Sequence, residues 1–150
     1  MGGSAWVSSS FLVAIALMSF GCSSSTHPPV VPPTSSQVAE FLKHANLTLP
    51  ESARPIGYRA RSGGMDQALW ISFSLPMIDV PAFLSTSPFQ DGKLESKDEY
   101  ILYLFDHFWQ TPPTRYRSAQ RGLPHNEAIN LLIDESDATT AMIYMMWHET

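Results

Sequence analysis

Ile56-Gly-Tyr-Arg-Ala-Arg-Ser-Gly-Gly-Met-Asp-Gln-Ala-Leu-Trp-Ile-Ser-Phe-Ser-Leu75 is the stretch on which the fold turns. Ile56, Tyr58 and Ala60 alternate with Gly57, Arg59 and Arg61, the period of a half-exposed strand. After Ser62-Gly63-Gly64, Leu69, Ile71, Phe73 and Leu75 fall on one side and Ala68, Trp70, Ser72 and Ser74 on the other. Period-two alternation on both flanks of a Gly-Gly turn predicts a β-hairpin.

The pattern changes to helical on either side of this hairpin. Upstream, Thr34-Ser-Ser-Gln37 reads as a capping box, and Val38, Phe41, Leu42 and Ala45 recur at helical spacing toward an end near Asn46. Downstream, Asp79-Val-Pro-Ala-Phe-Leu84 predicts a short helix with Asp79 as cap and Pro81 in its first turn. Ser96-Lys-Asp-Glu99 is a second capping box, followed by Ile101, Leu104, Phe105 and Phe108, although Tyr100 to Phe105 also reads as a strand. Pro112-Pro113 ends that element. A second hairpin follows: Ile129, Leu131 and Ile133 alternate, Glu135-Ser-Asp-Ala138 turns the chain, and Ala141, Ile143, Met145 and Trp147 alternate again. The expected fold class is therefore α+β, two β-hairpins forming a small antiparallel sheet with two or three helices packed on one face.

Composition bounds the function. The 150 residues hold 9 Lys and Arg against 14 Asp and Glu, a net charge of −5, so no basic field is available for phosphates and nucleic acid is excluded as a partner. A single cysteine excludes an intrachain disulfide framework. Aromatics at 11% supply enough apolar surface for a core.

The charge is unevenly spread, beginning only at Glu40. Within the neutral N-terminal stretch, Phe11-Leu-Val-Ala-Ile-Ala-Leu-Met-Ser-Phe20 is too short to span a hydrocarbon core of roughly 30 Å, but it suits the apolar region of a secretory signal. Ser19 and Gly21 place small side chains at −3 and −1 of a cut before Cys22. In these residues the chain resembles a bacterial lipoprotein precursor. The resemblance covers about the first 25 residues and implies acylation of Cys22 and removal of residues 1–21. An ordinary secretory leader with the same cut, leaving Cys22 as a free thiol in a soluble secreted protein, is the alternative. Two or three acyl chains on one residue, at about 0.8 kcal/mol per buried methylene, hold a small domain at a membrane stably. Residues 22–36, rich in Ser and Pro, fit an extended tether some 40 Å long. Residues 37–150 then form the single folded domain.

No Gly-x-Ser-x-Gly elbow, phosphate-cradling glycine loop or His-Glu-x-x-His occurs in the chain. Met142, Met145, Met146 and His148 offer soft-metal ligands, but their strand pattern reads as core, and neither metal nor cofactor is expected. Asp134, Glu135 and Asp137 read as turn residues, and adjacent Asp106 and His107 as a solvated helix edge. Arg115, Arg117 and Arg121, with Tyr116, lie in one loop or edge strand, where they meet an acidic partner or lipid headgroups or else protect the strand edge. Asn46-Leu-Thr48 matches the N-glycosylation pattern, relevant only to a eukaryotic secretory route. The possible binding patch is the outward face of the first hairpin, where Trp70, between the inward Leu69 and Ile71, shares its face with Ser72 and Ser74 and the partner strand adds Arg59 and Arg61 beside them; Arg115 and Arg117 are further candidates.

The resulting expectation is an exported lipoprotein of the cell membrane or outer membrane, anchored through Cys22, whose domain is a non-catalytic module binding a protein or small ligand. Two alternatives stand beside it. One is a small envelope hydrolase using His107, His125 or His148 as base; the other is a purely structural lipoprotein.

Overall fold

The computed structural model describes residues 31–63, 66–95 and 113–150. The leader, Cys22, most of the tether and the element from Ser96 to Pro112, with Asp106 and His107, lie outside the described residues.

Helix α1 spans Ser35–Ala45 and starts where the capping box predicts. The Thr34 hydroxyl accepts from the Gln37 backbone at 3.3 Å, and the Gln37 side chain accepts from the Thr34 N–H at 2.8 Å. These reciprocal bonds satisfy donors that a helix N-terminus leaves orphaned. At the other end Asn46 turns left-handed, with φ 49°, and the Leu47 N–H reaches back to the Leu42 carbonyl at 3.0 Å, a Schellman closure. Phe41 and Ala45 are buried from this helix.

Five strands follow among the described residues: β1 Arg54–Arg61, β2 Ala68–Pro76, β3 Tyr116–Leu123, β4 Glu127–Asp134 and β5 Thr140–Glu149. They form one sheet in the order β1-β2-β5-β4-β3, every neighbouring pair antiparallel. A single 3₁₀ turn, Met77–Asp79, leads into helix α2, Val80–Ser85. Both hairpins exist as predicted, and the facing of β2 is as its alternation requires.

The expected fold class is overturned. The domain is dominated by a five-stranded antiparallel sheet, and only two short helices occur among the described residues, in place of two hairpins beneath two or three helices. The strand outside the two hairpins is β3, Tyr-Arg-Ser-Ala-Gln-Arg-Gly-Leu, the segment open to reading as a loop or an edge strand, which carries no β-branched residue and no apolar alternation. Its strand conformation comes from pairing with β4, from Tyr116 opposite Asp134 to Leu123 opposite Glu127, because strand propensity depends on context more than on composition. Two local expectations also fail. Ile56 sits in a bulge between Pro55 and Gly57, so it does not share the phase of Tyr58 and Ala60. Asp79 makes no capping bond to α2; its carboxylate instead accepts from the Ser52 hydroxyl at 2.7 Å.

Both faces of the sheet are packed. On one, Phe73, Ile71, Leu131, Ile143 and Trp147 lie with Phe41 of α1 and Val80 and Phe83 of α2 in the main core. Phe73 meets Phe83 edge-on at 5.5 Å between ring centroids. On the other, Ala68, Trp70, Leu132 and Met146 form a second buried cluster flanked by Tyr116 and Tyr144. Met145 and Met146 are thus core residues on opposite faces of β5.

Candidate functional site

At one end of the sheet, the last turn of α1 faces the β3–β4 turn across a cleft of about 280 Å³. Lys43, His44 and Asn46 line the first wall; Leu123, Pro124, His125 and Glu127 line the second. Each wall has a local cause. The left-handed Asn46 stops the helix and leaves Lys43 and His44 at its C-terminal end, where positive charge is favoured. His125 and Asn126 are both left-handed, with φ 67° and 61°, and close the turn tightly. The Thr150 backbone and hydroxyl both donate to the Asn126 carbonyl at 2.7 Å, which ties the turn to the strand end.

Beside the cleft lies a three-part contact. Trp147, 1% exposed, donates its indole N–H to Oε2 of Glu127 at 3.0 Å. The His44 ring lies over that indole, 4.2 Å between centroids at a tilt of 42°. Glu127 therefore presents a carboxylate fixed through one oxygen, with the second still able to accept. The cleft holds opposite charges on its two walls, beside a flat aromatic surface.

No protein-family model, curated protein or solved structure matches this chain.

The residues singled out in the sequence are dispersed. Trp70 does point away from Leu69 and Ile71, and the register sets Arg59 opposite it. The Arg61 guanidinium carbon stands 6.0 Å from the indole centroid. However, Trp70 is only 2% exposed and Ser72 is buried with it, so the outward indole of the expected patch is a packed one. Arg115 is exposed beside the start of β3, while Arg117 donates Nε to Glu135 at 2.9 Å. Arg121 donates to the Asp91 carboxylate at 2.6 Å and the Lys93 carbonyl at 3.0 Å, and this hydrogen bond holds the Asp91 pKa below its ordinary value. Arg121 pins the Asp91–Lys93 segment to the β3 edge and Glu95 bridges to Ser118 along it, whereas Arg117 joins β3 to the residue that follows its partner β4. Of the three histidines weighed as bases, His125 lines the cleft, His148 lies on β5 and His107 is outside the described residues.

The acidic turn behaves as an ordinary turn. Asp137 accepts from the Thr139 hydroxyl and backbone at 2.7 Å and from the Thr140 backbone at 3.1 Å, which lowers its pKa. Asp134 accepts from the Ser136 backbone at 2.9 Å. Among the described residues no group of three or more His, Cys, Asp or Glu is placed to hold a metal ion.

Sequence reasoning missed the cleft. Lys43 and His44 lie in the last turn of the helix predicted to end near Asn46, and Glu127 precedes the alternation that begins at Ile129. The available signal was Pro124-His-Asn126, a turn tripeptide between β3 and β4 whose first strand was not legible.

Proposed function

We propose that this chain is a lipoprotein of the cell envelope, anchored through Cys22, whose β-sheet domain is a non-catalytic binding or interaction module. The observation that supports it is where the fold begins. The capping box at Thr34 opens α1 immediately after the Ser/Pro-rich run that follows Cys22, and Val31 at the end of that run is 63% exposed. An apolar leader, a lone cysteine, an extended run and then a self-capped domain make the order of a tethered module. Nearly the full length of the 11-residue α1, about 15 Å at a rise of 1.5 Å per residue, separates the tether junction from the cleft.

The test is processing and partition. The mature chain is expected to begin at an acylated Cys22 by mass spectrometry and to enter the detergent phase, and Cys22→Ala is expected to yield an unprocessed or aqueous-phase species. A Cys22→Ala chain that is still cleaved and still partitions into detergent overturns the anchoring.

A further inference from the structure

We infer that the cleft between the end of α1 and the β3–β4 turn binds a small zwitterion, a ligand carrying an ammonium and a carboxylate on adjacent carbons as a free amino acid does. The inference rests on the reading of the domain as a binding module and names the ligand class of that module.

Three observations converge on it. First, Lys43 and Glu127 line opposite walls of one cleft, yet neither forms an ion pair with a described residue. The two charges therefore face one cleft without neutralising each other. Second, Glu127 is not a freely rotating surface carboxylate. The buried Trp147 indole holds Oε2, so Oε1 remains as an acceptor of set direction for an ammonium N–H. Third, His44 stacked on Trp147 gives the cleft a flat wall for carbon skeleton, and the imidazoles of His44 and His125 add hydrogen-bonding nitrogens to its lining.

The charge arrangement selects among ligands. A simple anion attracted to Lys43 meets the carboxylate of Glu127, and a simple cation attracted to Glu127 meets Lys43. Only a ligand with both charges is matched at both walls, and like-charge juxtaposition disfavours the others. The volume of about 280 Å³ lies just below the roughly 300–1,000 Å³ of pockets for drug-sized ligands, which suits a smaller metabolite of amino-acid size.

The experiment uses the full chain, isotopically labelled, in detergent micelles, titrated with individual free amino acids at millimolar concentration. Acetate and methylammonium serve as probes carrying one charge each. At least one amino acid is expected to shift the backbone amides of Lys43 to Asn46 and His125 to Glu127 saturably, with neither single-charge probe doing so. Glu127→Gln keeps an oxygen for the Trp147 N–H but removes the charge, and Lys43→Met keeps a good helix former; each is expected to weaken binding about tenfold or more. Spectra of both variants unchanged away from the cleft verify their folding. The assignment is overturned if no amino acid shifts these amides, if acetate shifts them equally, or if binding survives both substitutions. Detergent partition of the same samples reports anchoring separately, so an intact anchor with no amino-acid binding overturns the cleft assignment alone.

Discussion

Trp147 and Glu127 are diagonal neighbours on adjacent strands, joined by the indole N–H to carboxylate hydrogen bond at 3.0 Å. The bond links the buried core to the rim of the cleft, since the indole is buried and the carboxylate is half-exposed. Replacing Trp147 by Phe keeps a large ring but deletes the donor. A hydrogen bond to a charged acceptor contributes about 1.5–3 kcal/mol, so Trp147→Phe is expected to lower unfolding free energy by that order. Glu127→Gln, which retains an acceptor, is expected to cost less. Urea denaturation of the two variants checks the ranking.

Strand β2 is core on both faces. Phe73→Ala and Trp70→Ala are each expected to cost about 3–5 kcal/mol, because each deletes a buried ring that the surrounding side chains refill only in part. Equal and large losses confirm two packed faces by thermal melting. A Trp70→Ala chain that melts near the parent temperature contradicts the second core.

Asn130 is fully buried on β4, and neither amide atom has a hydrogen-bond partner among the described residues. It belongs to the face that carries Trp70 and Met146, opposite Met146 in the β4–β5 register. Leu has nearly the same shape without the polar atoms. Asn130→Leu is therefore expected to raise stability by about 1–3 kcal/mol, the cost of desolvating an unpaired amide. A fall in melting temperature disproves it.

Tyr58 ties β1 to α1 through its hydroxyl, which donates to Glu40 at 2.8 Å. Burial first, and the Glu40 hydrogen bond and charge second, push its pKa well above the ordinary value of 10.0. The folded state thus favours the neutral phenol. Its contribution is complete below about pH 10, where the unfolded phenol begins to ionise, and is lost as pH rises through the folded value. Tyr58→Phe is expected to flatten the alkaline limb of a stability-versus-pH curve. An unchanged alkaline limb removes Tyr58 as its cause.

What could be read from sequence alone was local. Thr34 and Gln37 specify a cap because the reciprocal bonds need only residues three apart, and α1 starts there. The alternation through Leu69, Ile71, Phe73 and Leu75 set which side chains face the core, since the pleat has a period of two whatever the partner strands are. The rest was decided in three dimensions. Strand β3 has no strand-like composition and exists because β4 offers it a ladder of backbone partners. Trp70, set by alternation on the face away from Leu69, became core because the second face of the sheet is also packed, which periodicity along one strand does not encode. The cleft joins Lys43 to Glu127 across 84 positions of sequence, 127 − 43, and only the docking of α1 against the sheet brings them together. Hydrogen-bond spacing along a chain is local physics; the meeting of two distant walls is a property of packing.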